Sequence, residues 1–405
     1  MSRKKKAIFS TVTVLIILAL SEGVLRVHDF GFYFNYSADI IGMPLLDLYS
    51  IRRVQNRTVE FDRHVFWKFK PNQTLDIEGV YKKPVTINSH GFRGPDWTDQ
   101  KPAGVFRVAC LGDSTTFGWS VGEKETYPYQ LERSLEKNCG AKVEVMNLGV
   151  TGYTSLQGRE LMRTRVIEWR PDLVVFAFGP NDRLPALHSH EEHLEKGTWE
   201  KSSFAFTLER LQVYKLIKSL AVYIKRRSEG ISLDPATYIP RLKRKVDQAE
   251  FRDNVRKVKS LCDSTGADLV LIHVDFPSLP EDHAGKEVIK KAREHNVSPP
   301  ADWKEWDGTE VVRHFQGKPG VRAFDLRPLF KERLKMVRSG ELGPERALKI
   351  RSQMPKLIEK GPWRYLMVDN GHPNKWGHEI IAREILENAR TMERYDEVCR
   401  KRSTQ

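Results

Sequence analysis

"VFRVACLGDSTTFG", residues 105–118, carries six apolar residues and one arginine into a glycine and then into Asp-Ser-Thr-Thr. A short β-rich run bounded by glycine reads as a strand buried on both faces, with the polar turn at its carboxyl end. Four more runs repeat the pattern: "KVEVMNLG" (142–149), "DLVVFAFG" (172–179), "ADLVLIHV" (267–274) and "VRAFDL" (321–326). Amphipathic segments alternate with them, and the spacing predicts helices over 126–138, 155–169, 245–265 and 375–394. This alternation predicts an α/β fold: a three-layer, doubly wound, five-stranded parallel sheet with helices on both faces.

Between the third and fourth strands lie roughly ninety residues, far more than a crossover needs. A helical insertion at about 183–265 is therefore expected. Within it, "FAFTLERLQVYKLIKSLAVYIKRR" (204–227) aligns Val213, Ile217, Leu220 and Ile224 on one stripe, interleaved with Lys215, Lys218, Lys225, Arg226 and Arg227. A surface helix covering the core is the preferred reading, with a lid or a membrane-surface helix as alternatives.

The 405 residues are 40% hydrophobic, enough for one large α/β domain with additions. A net charge of +14 arises from 67 basic against 53 acidic residues spread along the chain. No finger, basic zipper or aromatic RNA motif accompanies it, so no nucleic-acid partner is expected, and the charge serves solubility or attraction to anionic surfaces. Cys110, Cys139, Cys262 and Cys399 are too few and scattered for a disulfide framework. One bridge is compatible with them and none is required; buried or half-buried free thiols are the preferred expectation.

At the N-terminus Arg3, Lys4, Lys5 and Lys6 precede the uncharged "AIFSTVTVLIILAL" (7–20). A basic flank before an apolar run inserts into a membrane. Residues 1–26 are expected to form an uncleaved anchor, with a signal peptide cut near "ALS" (19–21) as the alternative. The positive-inside rule would leave the remainder periplasmic or extracellular. Residues 27–104 form a small β-rich lead-in, 105–395 the main domain and 396–405 a C-terminal tail.

Ligands of open α/β sheets collect beyond the carboxyl ends of the strands. The first three strand ends supply Gly112, Asp113 and Ser114; Asn147, Gly149 and Gly152; and Gly179, Asn181 and Asp182. Near the C-terminus "MVDNGHPNKWGHEIIAREIL" sets Asp369 three residues before His372, with Asn374 placed to cap the following helix. A carboxylate beside an imidazole can fix its tautomer, and a serine hydroxyl needs such a base to attack a carbonyl.

With these blocks in order, the chain resembles the SGNH hydrolases, the GDSL lipase/esterase family. The blocks read "GDST" (112–115), Gly152, "GPND" (179–182) and "DNGH" (369–372). The likeness spans 105–395, and "NSHGFRGP" just upstream looks like the lead-in of membrane-anchored bacterial members. Thr115 stands where leucine is usual, at a structural position. The resemblance implies a flavodoxin-like SGNH fold with Ser114 as nucleophile, His372 as general base and Asp369 orienting it. It further implies an oxyanion hole from the Ser114 and Gly152 main-chain N–H groups and the Asn181 amide. Asp113 would brace the turn without reacting. No cofactor or metal is implied, and "HSHEEH", with His188, His190 and His193, is read as a solvated loop or pocket rim, its spacing fitting no helix face. His273 reads as a satisfied core histidine, and His378 as pointing away from the turn.

The function expected is a serine esterase or deacylase acting on acyl esters, of carbohydrate or lipid, outside the cytoplasmic membrane. Alternatives are an O-acetyltransferase using the same triad on surface polysaccharide, or a non-catalytic glycan-binding member of the fold.

Overall fold

The computed structural model describes residues 2–27, 58–76, 84–196, 208, 211–214, 216–217, 224, 228, 230, 234–275, 282–300, 303, 306–339, 366–367 and 372–400. Asp369 lies outside the described residues. The chain divides into two compact units. One comprises 69–185, 244–287 and 303–405; the other comprises 1–68, 186–243 and 288–302.

The first unit is built on five parallel strands: β1 (Val105–Gly112), β2 (Lys142–Gly149), β3 (Leu173–Phe178), β4 (Asp268–His273) and β5 (Val321–Asp325). Their order across the sheet is β5-β4-β3-β1-β2, the doubly wound arrangement whose crevice opens between the first and third strands. Every residue of β1, β3 and β4 is buried, which is why these segments read as mostly apolar runs. Asp268 and His273 end β4, and Arg107 interrupts β1; Arg107 is tolerated because it is paired: Nε donates to Glu144 of the neighbouring strand at 2.5 Å and Nη1 to the Trp169 carbonyl at 2.9 Å.

Helices cover both faces. The core cluster on one face joins β-strand side chains to Leu131 and Leu135 of α2 (Tyr127–Glu136), Phe330 of α5 (Leu326–Ser339) and Ile381 and Ile385 of α6 (Lys375–Ala389). The opposite layer contains α3 (Ser155–Thr164) and α4 (Gln248–Thr265). Gly158 brings α3 so near β3 that a Cβ there would lie 2.4 Å from the Phe178 ring. Helix α4 starts where Asp247 and Glu250 form a capping box and stops at Gly266, whose φ is +71°. The expected helices are thus present with slightly tighter ends.

Two short antiparallel strands, Gln73–Leu75 and Val85–Ile87, belong to this same unit. The expectation of free thiols holds for buried Cys110 and Cys262. It fails for Cys139 and Cys399, which form a disulfide across 260 residues of sequence. Burial raises both free thiols, Cys262 to about 12. Tyr395 and Cys399 are buried in the core cluster, so the bridge ties the segment after α6 to the end of α2.

In the second unit α1 (Arg3–Val27) has an 18-residue window of mean hydropathy 2.2 and no buried residue. It is long and apolar enough to cross a membrane. Glu22, the one acidic interruption, pairs with Arg26 at 2.7 Å and accepts the Val213 N–H at 2.9 Å. The insertion belongs to this unit from 186 to 243, and its Ile217 and Ile224 are exposed. Lys215, Lys218, Leu220 and 225–227 of the stripe lie outside the described residues.

Candidate active site

Beyond the end of β1, Asp113 caps a one-turn helix, Ser114–Phe117, by accepting the Thr115 N–H at 2.8 Å. Ser114 is therefore the first residue of the turn, its hydroxyl partly exposed at the sheet's rim. His372 Nε2 lies 2.9 Å from Ser114 Oγ, bringing together residues 258 apart in sequence. The chain after His372 is fixed by Asn374, whose side chain accepts the Trp376 and Gly377 N–H groups at the start of α6.

Gly149 explains why the nucleophile turn can sit so low on the sheet. A Cβ there would lie 2.1 Å from the Phe117 nitrogen and 2.6 Å from the Thr116 carbonyl carbon, both backbone atoms that cannot swing aside. Gly149→Ala is expected to displace the turn, destabilising the protein by about 1–3 kcal/mol and slowing turnover by about 100-fold. Thermal melts and initial rates on the same preparation would check both effects.

Gly152 has φ +82°, a left-handed conformation that turns its N–H without side-chain strain. Asn181 Nδ2 donates to the Tyr153 carbonyl at 3.0 Å and contacts Asp113 Oδ2 at 3.4 Å. The third turn is held by its neighbours: Arg183 donates to Asp275 at 3.0 Å, and Asp275 also receives Arg327.

Two carboxyls under the rim are unusual. Burial pushes Asp113 up to about 6, with the Thr115 N–H and the nearby His372 opposing it. Burial likewise pushes Asp182 up to about 7, although its Oδ1 accepts the Ser155 N–H and hydroxyl at 2.9 and 2.5 Å. Asp182 Oδ2 meets no hydrogen-bond partner among the described residues. A carboxyl that keeps its proton in the folded state to higher pH than in the unfolded chain costs stability as pH rises through that window. Asp182→Asn, which cannot ionise, should therefore flatten the fall of the melting temperature between about pH 4 and 7. Parallel melting curves for the two proteins would contradict this.

His378 packs beside Tyr127, their ring centroids 6.1 Å apart. It is fully buried, accepts the Tyr127 N–H on Nδ1 at 3.2 Å, and burial, with the charges of Arg93 and His372, holds it down to about 3. His273 is buried with Nδ1 3.2 Å from Asp325 and Nε2 accepting the Trp306 indole Nε1–H at 3.3 Å. His188 is exposed beside Glu192, and His190 is buried against Phe66. The His193 side chain is outside the described residues.

Sequence reasoning missed Trp119, whose ring centroid lies 5.9 Å from that of His372, and gave no role to Arg93. The signal for the first was an aromatic five residues after the serine, just beyond a short turn.

Residues 110–308 match the model of the GDSL-like Lipase/Acylhydrolase family. The matched stretch contains Ser114, Gly152 and Asn181 and ends before His372. An acetylxylan esterase of Xylanibacter ruminicola is 30% identical over 99 residues, 22% of this chain and 20% of that protein's length. The chain thus matches about a fifth of that relative. Among solved structures, an acetyl-xylooligosaccharide esterase variant from Geobacillus stearothermophilus aligns over 69% of this chain and 92% of its own at 15% identity, with a TM-score of 0.34. A two-domain esterase active on acetylated mannans aligns over 73% of this chain and 50% of its own at 17% identity, with a TM-score of 0.33.

Proposed function

We propose that the protein is a serine esterase that removes acetyl groups from carbohydrate, held on the outer side of the cytoplasmic membrane by α1. The observation that carries this reading is the 2.9 Å approach of His372 Nε2 to Ser114 Oγ at the carboxyl end of β1. As Ser114 Oγ attacks the acyl carbon, its proton passes to His372 Nε2, and the carbonyl oxygen becomes an oxyanion. The Ser114 and Gly152 N–H groups and the Asn181 amide stabilise that charge, each such donor contributing about 3 kcal/mol. The bond to the sugar oxygen then breaks and His372 returns the proton to it. Water repeats the sequence on the acyl-serine, releasing the acid. Asp369 takes the part of orienting His372, and Asp113 holds the turn.

The substrate class rests on the family domain and on the acetylated polysaccharides named for its relatives. Location outside the cytoplasm rests on the basic residues Arg3–Lys6 that open α1 and on the Cys139–Cys399 disulfide, since such bridges persist in oxidising compartments. The full-length chain in detergent, given acetylated xylan or acetylated mannan, should release acetate, and a serine-directed phosphonate should stop the release. No acetate from either polysaccharide, with Ser114 unlabelled, would overturn the proposal.

A further inference from the structure

A helix of one turn cannot satisfy its own last carbonyls, and those of the nucleophile turn are buried, where unmet acceptors are costly. Arg93, from "NSHGFRGP", meets them. Its side chain is only 1% exposed; Nη1 donates to the carbonyls of Phe117 at 3.0 Å and Gly118 at 2.7 Å, and Nη2 to that of Val121 at 2.8 Å. Its guanidinium carbon also stands 5.3 Å from the Phe117 ring centre.

These three carbonyls bracket a strained residue. Ser120 has φ +64°, a conformation that a non-glycine side chain holds only where its surroundings enforce it. The same short loop grips the nucleophile from behind, because the N–H groups of Gly118 and Trp119 both donate to the Ser114 carbonyl at 3.0 Å. It also carries Trp119 to its place beside His372. One guanidinium fork therefore fixes the backbone of the nucleophile, the loop behind it and the aromatic wall of the base.

We infer that Arg93 is a positioning residue for the reaction: by bonding the carbonyls of 117, 118 and 121 it sets the attack geometry of Ser114 against His372. The inference rests on the esterase reading for its kinetic consequence, and on the geometry alone for its structural one. A lysine cannot replace it, since an ammonium is a single point of charge and the site needs a planar fork spanning three acceptors.

The test uses the full-length chain in detergent. In Arg93→Lys the burst rate of Ser114 acylation by p-nitrophenyl acetate should fall about 100-fold, the penalty of a displacement near 1 Å. Amide hydrogen exchange of the peptide covering 114–121 should quicken in the same variant. In Arg93→Ala, millimolar guanidinium chloride should restore part of the acylation rate and slow that exchange, whereas sodium chloride at equal concentration should do neither. A cavity of about 230 Å³ lined by Arg93, Trp97, Glu123 and Tyr129 gives the free ion a route. Wild-type acylation and exchange in Arg93→Lys, or losses in Arg93→Ala that guanidinium leaves untouched, would overturn the inference. Failure of the wild type to acylate would instead remove the esterase reading, and the exchange measurement would still decide the role of Arg93.

Discussion

Ser114→Ala should lose at least about 10⁴-fold of its ester turnover, and His372→Ala a similar factor, with the double variant no worse than either alone. The reason is that hydroxyl and imidazole act as one unit across a 2.9 Å contact: without the base the hydroxyl keeps its proton, and without the hydroxyl the base has nothing to activate. Stability should barely change, because Ser114 is partly exposed and stands at the start of a turn whose cap is Asp113. Rates and melting temperatures of the three variants would check this, and additive losses would show that the two residues act separately.

Replacing both Cys139 and Cys399 by serine should have the largest effect on stability. The bridge closes a loop of 260 residues, and a cross-link over so long a loop removes much of the freedom of the unfolded chain. Its loss is expected to cost about 2–5 kcal/mol and roughly 10 °C of melting temperature. Tyr395, Val398 and Cys399 would then be held against the core by packing and by hydrogen bonds, Tyr395 Oη donating to the Asn138 carbonyl at 2.9 Å and the Gly140 N–H to the Cys399 carbonyl at 3.0 Å. Reduction of the wild type should reproduce the shift, with turnover at low temperature preserved because Cys139 lies just before the amino end of β2, whereas Ser114 stands beyond the carboxyl end of β1. An unchanged melting temperature under reducing conditions would refute the assignment.

Much of the sheet can be read from the chain because β1, β3 and β4 are buried on both faces and leave mostly apolar runs. Ser114 and His372 were legible as a pair through their order, each lying in a polar turn that interrupts such a pattern. Arg93 was not. Its partners are backbone carbonyls, which every residue possesses, so nothing in the partner sequence betrays the contact. The disulfide was hidden for a related reason: two cysteines 260 residues apart have no spacing to interpret. Gly149 reads as part of a strand-end motif, but its necessity is steric and emerges only when the nucleophile turn is laid across it. Asp182 reads as the polar partner of Asn181, while its raised pKa depends on burial that the sequence does not record.

The most direct test of the esterase reading is to mix the full-length protein with p-nitrophenyl acetate, quench in acid during the first turnover and map the modified peptide by mass spectrometry. The account predicts a single acetyl group on Ser114, absent in Ser114→Ala and formed far more slowly in His372→Ala. An acetyl group on another residue, or turnover with Ser114 unmodified throughout, would contradict it.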